Sequence, residues 1–249
     1  MDISLKQALV FVPKNEHWIR NVLIGGLLLF FPAFGYIFPG IRKLFFAPVN
    51  YFMASLFVML AGIVFLAVSG YFFKAVHNRV VHDKEGLPDW KYFSYYIYVG
   101  LKSYIGAFIL SLPFILFFLL LMFFAPISFS RESIPFILLA GVAYIVYSFL
   151  FVIFALCFVR DFKISSFWNI KRAYDLISGN INNFVMFVLY CFLIAFAHLF
   201  LLGILANAQI LALLIPFISF YVYLIYTDLF AQFIQSKEKV YSNEKECLV

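Results

Sequence analysis

The chain has 249 residues, of which 65% are apolar and only 12% charged, with a formal net charge of +6. Soluble domains carry roughly 45–50% apolar and about 25% charged residues, so this composition excludes an ordinary water-soluble domain. The positive excess reads as a topology and headgroup signal. No basic run is dense enough to call for nucleic acid.

In chain order, residues 1–21 hold no long apolar core and no A-x-A-like site, so no cleavable signal is expected there. Asp2 stands where N-myristoylation needs glycine. Leu5, Ala8, Leu9 and Val12 share one helical face, which predicts an interfacial helix over about 3–12 that Pro13 ends. Crossing a bilayer core of about 30 Å takes roughly 20 apolar residues as a helix. Six apolar blocks meet or approach that length, at about 22–38, 49–75, 99–125, 134–159, 184–205 and 210–233. None alternates in polarity, as strands of a membrane barrel would. A second interfacial helix is predicted over about 165–178. Phe167, Ile170, Tyr174 and Ile177 lie on one side, Lys171, Arg172 and Asp175 lie elsewhere, and Ser178-Gly179-Asn180 is the stop. The fold class is therefore all-α, a polytopic membrane bundle forming one domain over 1–249.

The basic residues set the orientation. Fifteen of the 18 Lys and Arg residues fall on one side of the six-span arrangement, and only Arg42, Lys43 and Arg131 fall on the other. The positive-inside bias then predicts that both termini are cytoplasmic. Each tryptophan stands on that side, ahead of an odd-numbered span: Trp18 before Gly25, Trp90 before Gly100, Trp168 before Gly179. Two readings stay open, a threefold hairpin repeat and the general preference of Trp for membrane interfaces.

The segment between the second and third spans is the most distinctive. Gly70-Tyr71 is followed by the basic residues Lys74 and Arg79, the turn Leu87-Pro88-Asp89-Trp90, then Gly100-Leu101 and Leu112-Pro113. Gly70 permits close helix approach, Pro88 holds Leu87 extended, and Trp90 with Tyr92, Tyr95, Tyr96 and Tyr98 suits an interfacial belt. Here the chain resembles a prokaryotic family of six-span membrane proteins catalogued only as a domain of unknown function. The resemblance extends more loosely to 167–179 and to Leu229-Phe230-Ala231-Gln232. The architecture it implies is also similar to the membrane domains of some glycerophosphodiester phosphodiesterases. The resemblance implies no activity and no catalytic residues.

Candidate residues for a lipid headgroup or a protein partner are Lys74, Arg79, Trp90, Lys91, Lys102, Lys171 and Arg172, which combine cations with interfacial aromatics. His198 is the polar candidate within a span, where a hydrogen bond to Tyr, Ser or backbone competes with a relay or substrate role. Asp228 is expected to be solvated near the cytoplasmic interface. Pro32, Pro113 and Pro216 interrupt three spans. His77 and His82 lie five apart, about 140° around a helix, so no metal site is expected. Cys157, Cys191 and Cys247 are too scattered for a disulfide framework and are expected to be packing residues. No phosphate-binding loop, nucleophile elbow or acid–base–nucleophile set is present. No catalytic residue and no cofactor are expected. The expected role is a non-enzymatic scaffold or accessory subunit in the cytoplasmic membrane of a prokaryote, with membrane lipids and a protein partner or second copy as partners. The alternative is a small carrier for a lipid or other amphiphile, using a cavity between kinked spans.

Overall fold

The computed structural model describes residues 3–37, 51–82, 86–124, 134–178, 180–207 and 211–246. These form eight α-helices and no strand: α1 Leu5–Lys14, α2 Trp18–Ile37, α3 Tyr51–His82, α4 Phe93–Phe124, α5 Ile134–Val159, α6 Ile170–Ile177, α7 Ile181–Ala206 and α8 Ile215–Glu246. Short 3-10 turns precede α4 (Trp90–Tyr92), α6 (Ile164–Trp168) and α8 (Leu211–Leu214). Five of the described stretches are long and apolar enough to cross a membrane: Ala54–Val81, Trp90–Leu121, Leu138–Val159, Ile181–Ala206 and Leu211–Ser236. The first expected span falls on α2, whose apolar stretch Trp18–Ala33 is shorter. Arg42, Lys43, Lys84, Arg131, Gly179 and Cys247 lie outside the described residues.

Local sequence accounts for the helix ends. The Ser4 hydroxyl accepts the Gln7 N–H at 3.3 Å and caps α1. Pro13 sits inside the last turn of α1 rather than beyond it. Just beyond it, the Asn15 N–H closes the helix on the Val12 carbonyl. The expected apolar stripe of α1 is also rotated: Ala8, Phe11 and Val12 are buried, whereas Leu9 is exposed. Pro216 lies within the apolar stretch Leu211–Ser236 but does not break its helix. It is the second residue of α8, where the first turn needs no N–H from it. Pro32 and Pro113 do lie inside α2 and α4.

Two compact units divide the chain, Met1–Leu101 with Leu176–Val249, and Lys102–Asp175. In the first, α8 is the central helix and packs against α1, α2, α3 and α7. Phe220, Leu224, Leu229, Phe233 and Ile234 of α8 are all buried. Gly25 and Gly26 of α2 lie against the Phe220 and Phe217 rings, and no side chain would fit between them. Helices in lipid gain little from burying apolar surface and associate through such small-residue packing.

In the second unit, Phe162 takes a left-handed backbone conformation (φ 51°) and reverses the chain after α5. The 3-10 turn Ile164–Trp168 then packs back along α5. Phe167 is buried against Phe158, with ring centroids 5.1 Å apart, and lies farther from Phe151 at 6.5 Å. Gly106 of α4 meets the same ring with no room for a side chain.

Candidate functional site

The polar groups of the first unit gather where α1, α3 and α8 meet. Asp228 is fully buried on α8, and Arg79 reaches it from the last turn of α3 with Nε 2.5 Å from Oδ1. The Nε hydrogen is not aimed along that line, so the contact is a close ion pair rather than a directed hydrogen bond. Gln232, one turn on, donates through Nε2 to Asp228 Oδ2 at 2.5 Å and to the Ser4 carbonyl at 3.2 Å. Its Oε1 accepts the Ser4 N–H at 2.7 Å. Gln235 Nε2 donates to the Arg79 carbonyl at 2.8 Å. Phe11 of α1 covers the guanidinium, its ring centroid 4.5 Å from Cζ, in cation–π geometry. Three helices are thus tied by one charged pair and its amides.

Asp228, expected to be solvated, is instead closed off by α1 and α3. A buried carboxylate persists when it is paired and hydrogen-bonded, and both conditions are met here. Gln232 and Gln235 were not among the candidates, although the sequence carried a signal for them. Asp228, Gln232 and Gln235 are spaced i, i+4 and i+7, which puts them on one face of α8.

The second cluster is the Gly70–Gly100 junction. A β-carbon on Gly70 would collide with the Tyr96 carbonyl, and one on Gly100 with the Leu66 carbonyl. Each glycine therefore admits the other helix's backbone. Over this crossing the Leu87-Pro88-Asp89 turn is clipped from both sides. Tyr71 donates its hydroxyl to the Pro88 carbonyl at 3.0 Å, and Tyr96 donates to the Asp89 carbonyl. Trp90 stacks on Tyr71 at 4.1 Å and 11°, meets Tyr96 edge-on, and lies 5.9 Å from Phe220 of α8.

Trp90 is only 8% exposed, so the expected interfacial anchor is a packing residue. The glycine crossing draws α3 and α4 close enough for Tyr71 to cover its face. Around the rim, Asp89 accepts Arg20 at 3.3 Å and forms an ion pair with Lys91 at 3.5 Å, exposed pairs worth little by themselves. Lys74 Nζ stands 5.7 Å from the Tyr95 ring centroid.

Residues 52–207 match the family described as "Protein of unknown function (DUF4013)". The match spans more than half of the sequence. The chain belongs to that family. No curated protein and no solved structure matches it. The matched segment runs from α3 to α7 and includes Gly70, Arg79 and Trp90. Asp228, Gln232 and Ser4 lie outside it, so the carboxylate that meets Arg79 comes from a helix beyond the matched part.

The remaining candidates are dispersed. Lys102 is half-buried in the second unit. His198 on α7 lies 3.1 Å from the Ser219 hydroxyl on α8, a partner of the expected kind. Lys171 is exposed at the start of α6. Arg172 donates from Nη1 to Asp161 Oδ2 at 2.7 Å. Asp161 also accepts the Ser166 hydroxyl at 2.8 Å and the Lys163 N–H at 3.1 Å. Asn169 accepts the Arg172 N–H at 3.0 Å and caps α6. Phe167, expected on the exposed apolar side of this element, belongs to the core; Ile170 and Tyr174 are the exposed apolar residues, at 74% and 69%.

Partial burial alone would raise the Asp161 pKa, but Arg172, the Lys163 N–H and the Ser166 hydroxyl outweigh it and hold the carboxyl below its usual range. A carboxyl lowered in the fold contributes stability above its unfolded value, about 3.9, and loses it as pH falls through the lower folded value. Amide protection in 160–175, taken relative to the intrinsic exchange rate at each pH, is therefore expected to fall below about pH 4, and Asp161→Asn should flatten that dependence. An unchanged profile in Asp161→Asn would show that this carboxylate does not hold the reversal.

Proposed function

We propose that this chain is a non-enzymatic integral membrane scaffold or accessory subunit. It sits in the cytoplasmic membrane of a prokaryote with both termini inside, binds lipid, and presents its apolar flank to a protein partner or a second copy. The observation that carries this reading is the internal use of polar groups within the long helices. Arg79, Asp228 and Gln232 engage one another, Asn180 donates to Ser236 at 2.8 Å, and His198 meets Ser219. A carrier needs polar groups left available to a moving substrate, whereas a scaffold needs them spent on fixing helix positions. Large apolar side chains of α7, among them Phe192, Phe196, Leu199 and Phe200, are exposed, as a lipid-facing or partner-facing helix requires.

The carrier alternative has one favourable observation, the His198–Ser219 pair, which is only part-buried. Reconstitution separates the two. Vesicles carrying the purified protein are expected to move a fluorescent phospholipid between leaflets no faster than protein-free vesicles. Movement above that background that His198→Ala abolishes would replace the scaffold with a carrier.

A further inference from the structure

We propose that the reversal following α5, residues 160–175, is a recognition surface for anionic phospholipid of the bilayer that holds the protein. This deepens the lipid-binding reading above, and rests on it, by naming the lipid charge class and the side chains.

Three observations converge. The first is depth. The apolar stretch Leu138–Val159 is long enough to cross a membrane, and Phe162 turns the chain back immediately afterwards. Phe167 then packs on Phe158 and toward Phe151. The turn Ile164–Trp168 thus runs beside the last turns of a span, at the level where headgroups meet acyl chains. The second is surface chemistry. With Phe167 turned inward, Trp168, Ile170 and Tyr174 are left exposed. An amphipathic pair of rings beside an aliphatic side chain suits this interfacial layer.

The third is charge. The segment carries Arg160, Lys163, Lys171 and Arg172 against Asp161 and Asp175. Asp161 is occupied by Arg172, so its charge is neutralised inside the fold. Lys163 and Lys171 are both exposed, and long lysine stems reach headgroup phosphates from the interface. A zwitterionic surface would not account for this cationic excess, and an acidic protein partner would not account for exposed Trp, Ile and Tyr beside the end of a span. Asp175 is exposed as well and opposes anion binding, so its removal should strengthen it.

The test uses the full chain in mild detergent, supplied with equal amounts of phosphatidylglycerol and phosphatidylcholine, and counts retained lipids by native mass spectrometry. The parent is expected to prefer phosphatidylglycerol. Lys163→Gln/Lys171→Gln should lose roughly tenfold or more of that preference, given the usual contribution of each lysine near an anionic surface. Asp175→Asn should increase the preference. Lys6→Gln/Lys14→Gln removes equal charge from exposed positions of α1 and should leave it unchanged. If the Lys163/Lys171 variant keeps the parent's preference, the surface is misassigned while lipid binding stands. If the parent retains no lipid of either kind, the lipid-binding reading itself fails and this assignment falls with it.

Discussion

Replacing Asp228 with alanine is expected to cost about 3–5 kcal/mol of stability, the usual consequence of leaving a buried charge without its partner. Arg79 would keep its guanidinium under Phe11 with no counter-charge, and Gln232 would lose the acceptor at 2.5 Å. Arg79→Ala should be comparably damaging, because it strands a carboxylate with no exposure at all. The double variant Arg79→Met/Asp228→Leu separates architecture from function. Apolar replacement of a complete buried pair is often neutral or stabilising, so the double variant should unfold near the parent's temperature in detergent. The singles and the double form a cycle whose coupling term measures the pair directly. Singles as stable as the parent would mean that water reaches the pair and the closed cluster does not exist. A double variant that is stable yet no longer retains lipid or partner would give the pair a functional role.

The membrane class was readable from composition, and α5 has the expected bounds, Ile134–Val159, because its apolar run ends abruptly at Arg160. α3 was not delimited as well. Its expected span ends at Ala75, yet the helix continues to His82. An apolar-run rule ends a span at the first cluster of polar residues, whereas a helix continues when those residues find partners. Arg79 finds one on α8, about 150 residues away in sequence. The same long-range closure hid Asp228. Distance along α8 places it near the water, but α1, folded back from the other end of the chain, covers it. Trp90 shows the converse. Its residue type suits an interface, and only the Gly70–Gly100 crossing, which no local window contains, turns it inward. Phe167 falls outside the face its helical spacing predicts, because it lies in the 3-10 turn Ile164–Trp168 ahead of α6. Gly70 itself was legible, since a glycine late in an apolar helix has few purposes besides close approach.

That crossing is the second place where a small change should have a large effect. Gly70→Leu and Gly100→Leu are each expected to separate α3 from α4, since the space for a β-carbon is already filled by the partner helix's carbonyl. A flexible side chain can move aside, but a backbone carbonyl inside a helix cannot do so without unwinding its turn. Even Gly70→Ala should therefore lower the unfolding temperature, although alanine ordinarily stabilises a helix by roughly 0.5–1 kcal/mol over glycine. Gly62 on the same helix supplies the control, because nothing lies within 4 Å of a β-carbon placed there. Gly62→Ala should be neutral or slightly stabilising. Trp90→Ala removes the ring that fills the space above the crossing and should cost about 3–5 kcal/mol, as for other buried aromatics. It should also release the Leu87–Asp89 turn to faster amide exchange, although both tyrosine hydroxyl bonds remain possible. Thermal unfolding of the five variants in one detergent decides the matter. Gly70→Ala at or above the parent's stability would mean that α3 and α4 do not meet at their backbones, and the aromatic stack on Tyr71 would then need another cause.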